Sequence, residues 1–128
     1  MKVMVFVKAT QSSENGAPPD PKAMEAMGKY NQALIAAGIL KDNVLGGLKP
    51  TRFAKRVHFT GEERTVTDGP FTETKEVVAG FWLWEVSSME EAVDWLKKCP
   101  NPMPTYSDIE IRPLYSLEDL QRWRGNEI

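Results

Sequence analysis

The sequence is poor in the residues from which recognisable reaction centres are built. It has one cysteine, Cys99, and one histidine, His58. A lone thiol forms no internal disulfide and suits a reducing compartment. With so few soft donors there is no His/Cys set at metal-ligand spacing. Charge of one sign is missing as well: 16 Lys and Arg face 18 Asp and Glu, a formal net charge of −2. That balance argues against a nucleic-acid partner. The nearest approach to a basic stripe, Arg52, Lys55 and Arg56, reads as a solvated strand edge. No segment approaches the ~20 apolar residues of a membrane-crossing helix. The opening MKVMVFVKAT is broken at Lys8, too early for a signal-peptide core. A Gly-rich phosphate loop and a nucleophile elbow are both absent. The expectation is a cytoplasmic protein with no cofactor, no bound metal, no nucleic acid and no membrane.

What is present suits an ordinary folded domain: 128 residues, 41% hydrophobic and 27% charged. One domain over residues 1–128 is expected, with 115–128 as a helical extension. Val3 to Val7 is a continuous apolar run, which reads as a strand covered on both faces. Residues 9–19 read as loop. Asp20 and Pro21 open a helix carrying Met24, Met27, Tyr30, Leu34 and Ile35, and Gly38 stops it. Residues 43–50 read as loop. Residues 51–59 alternate, with Phe53, Val57 and Phe59 against Arg52, Ala54, Arg56 and His58. Gly61 and the run 64–67 supply a hairpin partner. After the interruption DGPFTETKE comes the strongest strand, 77–86. Ser88 with Glu91 forms a capping box for a second helix, bearing Met89, Ala92, Val93 and Leu96. Pro100, Pro102 and Pro104 make an extended connection. Ile109 and Ile111 mark a strand with one wet face, and Ser116 caps a last helix with Leu117, Leu120 and Trp123. The order is a ferredoxin-like βαββαβ α+β fold with an extra short strand in the middle hairpin.

Two of these strands are apolar on both sides. The first sets Val3, Val5 and Val7 against Met4 and Phe6; the long one sets Phe81 and Leu83 against Trp82 and Trp84. Each tryptophan carries roughly 150–250 Å² that favours burial, at roughly 25 cal/mol per Å². Two helices cover one face of such a sheet, so the other face needs a cover too. A homodimer enclosing an inter-sheet cavity supplies it. The competing cover is the C-terminal helix folded back.

The string Asp68-Gly69-Pro70-Phe71-Thr72-Glu73-Thr74-Lys75-Glu76 resembles the signature of the DGPF branch of the YCII-related proteins. The opening strand, Ala26 to Asn31, Ala79 to Trp84, Cys99 to Pro102 and Ile109 to Arg112 are similar in kind and order. The resemblance implies a ferredoxin-like fold paired into a dimeric α/β barrel, in small bacterial cytosolic proteins. It implies activity on chlorinated aromatic rings in some relatives, through a His–Asp pair. For the DGPF branch it implies an association with extracytoplasmic-function sigma factors. This chain departs from the His–Asp pattern: His58 lies in a strand and not in the early loop.

The candidate acid–base residues are Asp68, His58, Glu73 and Lys75. Candidate ligand contacts are Arg56, Phe71, Glu76, Trp82 and Trp84. Asp68 has a second reading, as the pin of the turn before Gly69-Pro70, and Glu73, Lys75 and Glu76 as a solvated, self-neutralising loop. His58 with Arg56 and Arg52 suits an anionic or phenolic ligand, or is a half-exposed strand histidine. Glu85 is either a buried acid or reaches water. Cys99, near a helix C-terminus, reads as packing. Two functions stay open. One is a homodimer that binds a small organic or aromatic ligand and supports cofactor-free acid–base chemistry. The other is a non-catalytic accessory or regulatory protein tied to sigma-factor signalling. In a third variant the apolar face serves dimerisation alone.

Overall fold

A computed structural model describes residues 1–41 and 46–125. The chain is α+β, with antiparallel sheets and four α-helices among the described residues. The central strand β1 (Lys2–Lys8) lies between β4 (Val78–Glu85) and β5 (Ile109–Pro113), antiparallel to both. Helix α2 (Pro21–Ala36) begins as expected, with Asp20 at the N-cap and Pro21 in the first turn. It ends where Gly38 adopts a φ of 75°, so that Ile39 N–H reaches back to Leu34 O at 2.9 Å.

Helix α3 (Met89–Lys97) is capped by Ser88 Oγ, which accepts from Glu91 N–H at 3.1 Å. The Glu91 carboxylate returns to Ser87 N–H at 2.7 Å, one residue earlier than a reciprocal box requires. Helix α4 (Leu117–Gly125) does have the reciprocal box: Ser116 Oγ accepts from Asp119 N–H, and Asp119 Oδ2 accepts from Ser116 N–H. The stretch read as loop before α2 contains a single helical turn, α1 (Gln11–Glu14), with Thr10 and Ser13 forming a serine version of the box.

The middle of the chain departs from the ferredoxin-like expectation. Strands β2 (Lys55–Thr60) and β3 (Glu63–Asp68) pair only with each other. The edge beside β4 is taken by residues 46–48 instead. There Gly47 bridges Gly80, Gly46 O accepts from Phe81 N–H, and Leu48 N–H donates to Ala79 O. Part of the loop expected over 43–50 lies outside the described residues. β2 also starts later than the alternation predicts, because Thr51–Phe53 forms a 3-10 turn. Every residue of the β2–β3 hairpin is exposed.

The core lies on one face of the main sheet. Val3 faces Trp84, Val5 faces Trp82 and Val7 faces Gly80, and the three valines and both tryptophans are buried. Tyr30 and Leu34 of α2 and Ala92 of α3 complete the cluster. The Tyr30 and Trp82 rings meet edge-on at 5.9 Å. Both tryptophans are thus sheltered by the chain's own helices. On the other face Met4 pairs with Leu83 and Phe6 with Phe81, and these four are only partly covered. Helix α4 does not cover them: Leu117 is 72% exposed and Trp123 56%. Trp123 stacks instead on Tyr115, 4.5 Å between ring centroids.

Candidate functional site

The signature segment forms the base of the hairpin, and its anchor is Thr51, a polar residue that is buried. Glu14, at the end of α1, accepts from Thr51 N–H at 3.0 Å, and its second carboxylate oxygen accepts from the Thr51 hydroxyl. Thr51 Oγ1 in turn accepts from Phe71 N–H at 2.9 Å. Gly69 N–H donates to Ala54 O at 2.9 Å. A Cβ on Gly69 would lie 1.6 Å from Thr51 O, so the glycine is what lets the two backbones touch. The Gly69–Pro70 peptide is cis. Glu14 and Thr51 have no sequence signature of their own; one acid on a one-turn helix meeting one threonine 37 residues away is a purely spatial coincidence.

Asp68 sits at the last position of β3 and does not bond the backbone that follows it. Its Oδ1 accepts from Lys55 Nζ at 2.6 Å across the hairpin, with both side chains in water. Arg56 lies over the Phe71 ring at 3.9 Å from its centroid, a cation–π contact. Arg56, Phe71 and Asp68 are therefore gathered at the hairpin base. His58 is two residues further out, paired with Thr65 and exposed. Lys75 and Glu76 belong to the 3-10 turn (Thr74–Glu76) that leads into β4, Glu73 is its N-cap residue, and all three are exposed. Trp84 is fully buried and Trp82 9% exposed. Among the described residues no group of three His, Cys, Asp or Glu is close enough to hold a metal ion.

Two single residues are resolved by their surroundings. Glu85 reaches water at the strand end, where a hydrogen bond and the charge of Lys41 hold its carboxyl below the usual value. Cys99 donates to Pro100 O at 3.2 Å, and burial pushes its thiol up from 9.0 to about 12. Its thiolate fraction at neutral pH is then on the order of a thousandfold below that of an unburied thiol. Iodoacetamide at pH 7.5 is expected to leave Cys99 unmodified in the folded protein and to alkylate it fully in urea, read by intact mass.

A sizeable cavity lies elsewhere, on the helix side of the sheet. It is a half-open groove of about 1030 Å³. Helix α2 forms one wall with Met24, Met27, Gly28 and Asn31; Trp82 and Gly80 form the floor. The opposite wall is the edge segment with Gly46, Gly47 and Leu48, and Met103 and its flanking prolines close one end. Gly46 and Gly80 let the edge segment lie close against β4, where a Cβ on either would meet backbone. Among the described residues Asp20 is the only ionisable one in the lining. Of the nine residues singled out from the sequence, Trp82 alone reaches this groove. Its indole N–H donates to Asn31 Oδ1 at 2.9 Å. Sequence reasoning missed Asn31, Gly28 and Gly80, because an amide and two glycines carry no motif.

Residues 1–115 match the YCII-related domain. An uncharacterised protein of Rhizobium meliloti (strain 1021) is 34% identical over 95 residues, covering 74% of this chain and 75% of the relative. No helix among the described residues is long and apolar enough to cross a membrane. The matched span takes in every strand, the hairpin base and the groove, and the chain belongs to the YCII-related domain family.

Proposed function

We propose that this protein is a homodimer that binds a small organic ligand in the helix-side groove. The carrying observation is the groove itself. Its volume of about 1030 Å³ is at the upper end of the ligand-pocket range of roughly 300–1,000 Å³. Its walls are thioether, proline, indole and glycine, with a few amide and hydroxyl groups. That is the composition of a site that holds an apolar body and orients it with few polar contacts.

The expected inter-sheet site lies on the opposite face, and the acid–base candidates Asp68, His58, Glu73 and Lys75 stand outside the groove. Among the described residues Asp20 is the one proton carrier in the lining, and the reading is one of binding, with no chemistry assigned. The homodimer rests on Met4, Phe6, Phe81 and Leu83, a contiguous apolar face that the chain's own α4 leaves open. An accessory, protein-binding role is the second reading. The hairpin favours it, because Val57, Phe59 and Val66 are 47%, 70% and 62% exposed on one of its faces.

The test has two parts. The wild type is expected to sediment at twice 14.4 kDa at micromolar concentration, and Leu83→Glu at 14.4 kDa. A wild type that stays at 14.4 kDa removes the dimer. In a thermal-shift panel of uncharged organic compounds, those that raise the midpoint of the wild type are expected to have no effect on Gly28→Phe. The Cβ of Gly28 meets no atom within 4 Å, so the ring projects into the groove without disturbing the core. A panel without any response removes the ligand reading and leaves the accessory role.

A further inference from the structure

We infer that the groove selects uncharged ligands carrying a carbonyl-type acceptor, and that the Asn31 amide is the group that recognises it; this rests on the groove being the ligand site. The Trp82 indole is a donor only, so the Asn31 atom that faces it at 2.9 Å is the carbonyl oxygen. The orientation of the amide is thereby fixed: Oδ1 is committed to Trp82, and Nδ2 carries two N–H donors. No acceptor among the described residues lies within hydrogen-bonding distance of them. Trp82 is itself locked, buried to 9% and held edge-on by Tyr30. The amide is therefore a pre-oriented donor pair on a wall of a mainly apolar groove.

Either of these N–H groups is matched by a ligand acceptor, a ketone, ester, lactone or amide oxygen. A pure hydrocarbon would cover the N–H groups and leave them unsatisfied, at a cost. A carboxylate is disfavoured for a separate reason. Among the described residues no Lys, Arg or His lines the groove, and the one ionisable residue is Asp20. An anion would surrender hydration and gain no counter-charge.

Three probes of similar shape test this: acetophenone, ethylbenzene and benzoate. Binding is read by ¹H–¹⁵N spectra at the Asn31 side-chain amide and the Trp82 indole. Acetophenone is expected to bind about tenfold more tightly than ethylbenzene, more tightly still than benzoate, and to shift the Asn31 Nδ2 resonances. Asn31→Asp keeps an oxygen for Trp82 and removes both donors, so it is expected to abolish the preference while leaving the Trp82 indole resonance near its wild-type position. Equal binding of acetophenone and ethylbenzene by the wild type, blocked in Gly28→Phe, overturns the selection and leaves the groove as the ligand site. Tighter binding of benzoate overturns it too. Shifts that persist in Gly28→Phe, or no shifts with any probe, overturn the selection and the groove together.

Discussion

Replacing Trp84 by alanine is expected to lower the unfolding free energy by about 3–5 kcal/mol. The side chain is fully buried, opposite Val3 on β1 and 5.7 Å from the Trp82 ring. Val3, Val5 and Leu34 share its cluster and are themselves without exposed surface, so nothing nearby has slack with which to fill the space. For a domain whose total stability is on the order of 5–15 kcal/mol, the loss is about a fifth or more, and urea unfolding at fixed protein concentration measures it. Trp84→Phe separates two contributions. The Trp84 indole N–H is buried without an acceptor, and an unmet buried donor costs about 1–3 kcal/mol. Phenylalanine removes that donor while giving up part of the ring volume. The two effects oppose one another, and the variant is expected to unfold within about 1 kcal/mol of the wild type. A Trp84→Phe as damaging as Trp84→Ala would show that the indole N–H is bonded after all.

Gly69→Ala is the second change expected to be severe, at about 3 kcal/mol. The added methyl would stand 1.6 Å from Thr51 O and 2.6 Å from Thr51 C, both backbone atoms that cannot swing aside. Relieving the overlap moves the signature segment off the 3-10 turn. That movement breaks Gly69 N–H to Ala54 O and Phe71 N–H to Thr51 Oγ1, each 2.9 Å. The damage should be local first. A two-stranded hairpin is marginal by itself in water, and β2–β3 pairs with no other strand. Amide exchange is therefore expected to accelerate over 55–68 before the main sheet loosens. Asp68→Ala is the contrasting variant. Its partner Lys55 is exposed and the pair is screened by water, so this change is expected to be close to neutral. Were Asp68→Ala to match Gly69→Ala, the pin of the turn would be the carboxylate and not the backbone contact.

Much of the fold was legible because its signals are local. Proline after aspartate at 20–21, serine at 88 and 116, and glycine at 38 act on groups within a few residues, and each marks a helix end where expected. The one-turn helix α1 escaped because its box closes on Ser13 and not on the usual glutamate or glutamine. The hairpin was recognised, yet its place was not. Pairing of β2 with β3 is a short-range matter, whereas the edge beside β4 was open to any extended segment. Residues 46–48 occupy it, with two glycines making the approach close: Gly46 and Gly80. The candidate site was legible only in part for the same reason. A charged signature drew attention to Asp68, Glu73 and Lys75, and these stand in water around a backbone clasp. The groove is assembled from residues of distant elements, and Asn31 takes its place in it only once α2 lies beside β4.

The sequence by itself determined the five strands, the three longer helices and their start signals, the two-sided character of β1 and β4, and membership of the YCII-related family. Period-two alternation divides a strand into two sets of side chains, and these sets were read correctly. Alternation has no preferred side, however. Only the tertiary structure decided that Trp82 and Trp84 turn toward the helices while Met4, Phe6, Phe81 and Leu83 stay open, because α2 and α3 offer Tyr30, Leu34 and Ala92 to one face alone. That choice is a competition between distant partners for the same apolar area, and no window of neighbouring residues contains it.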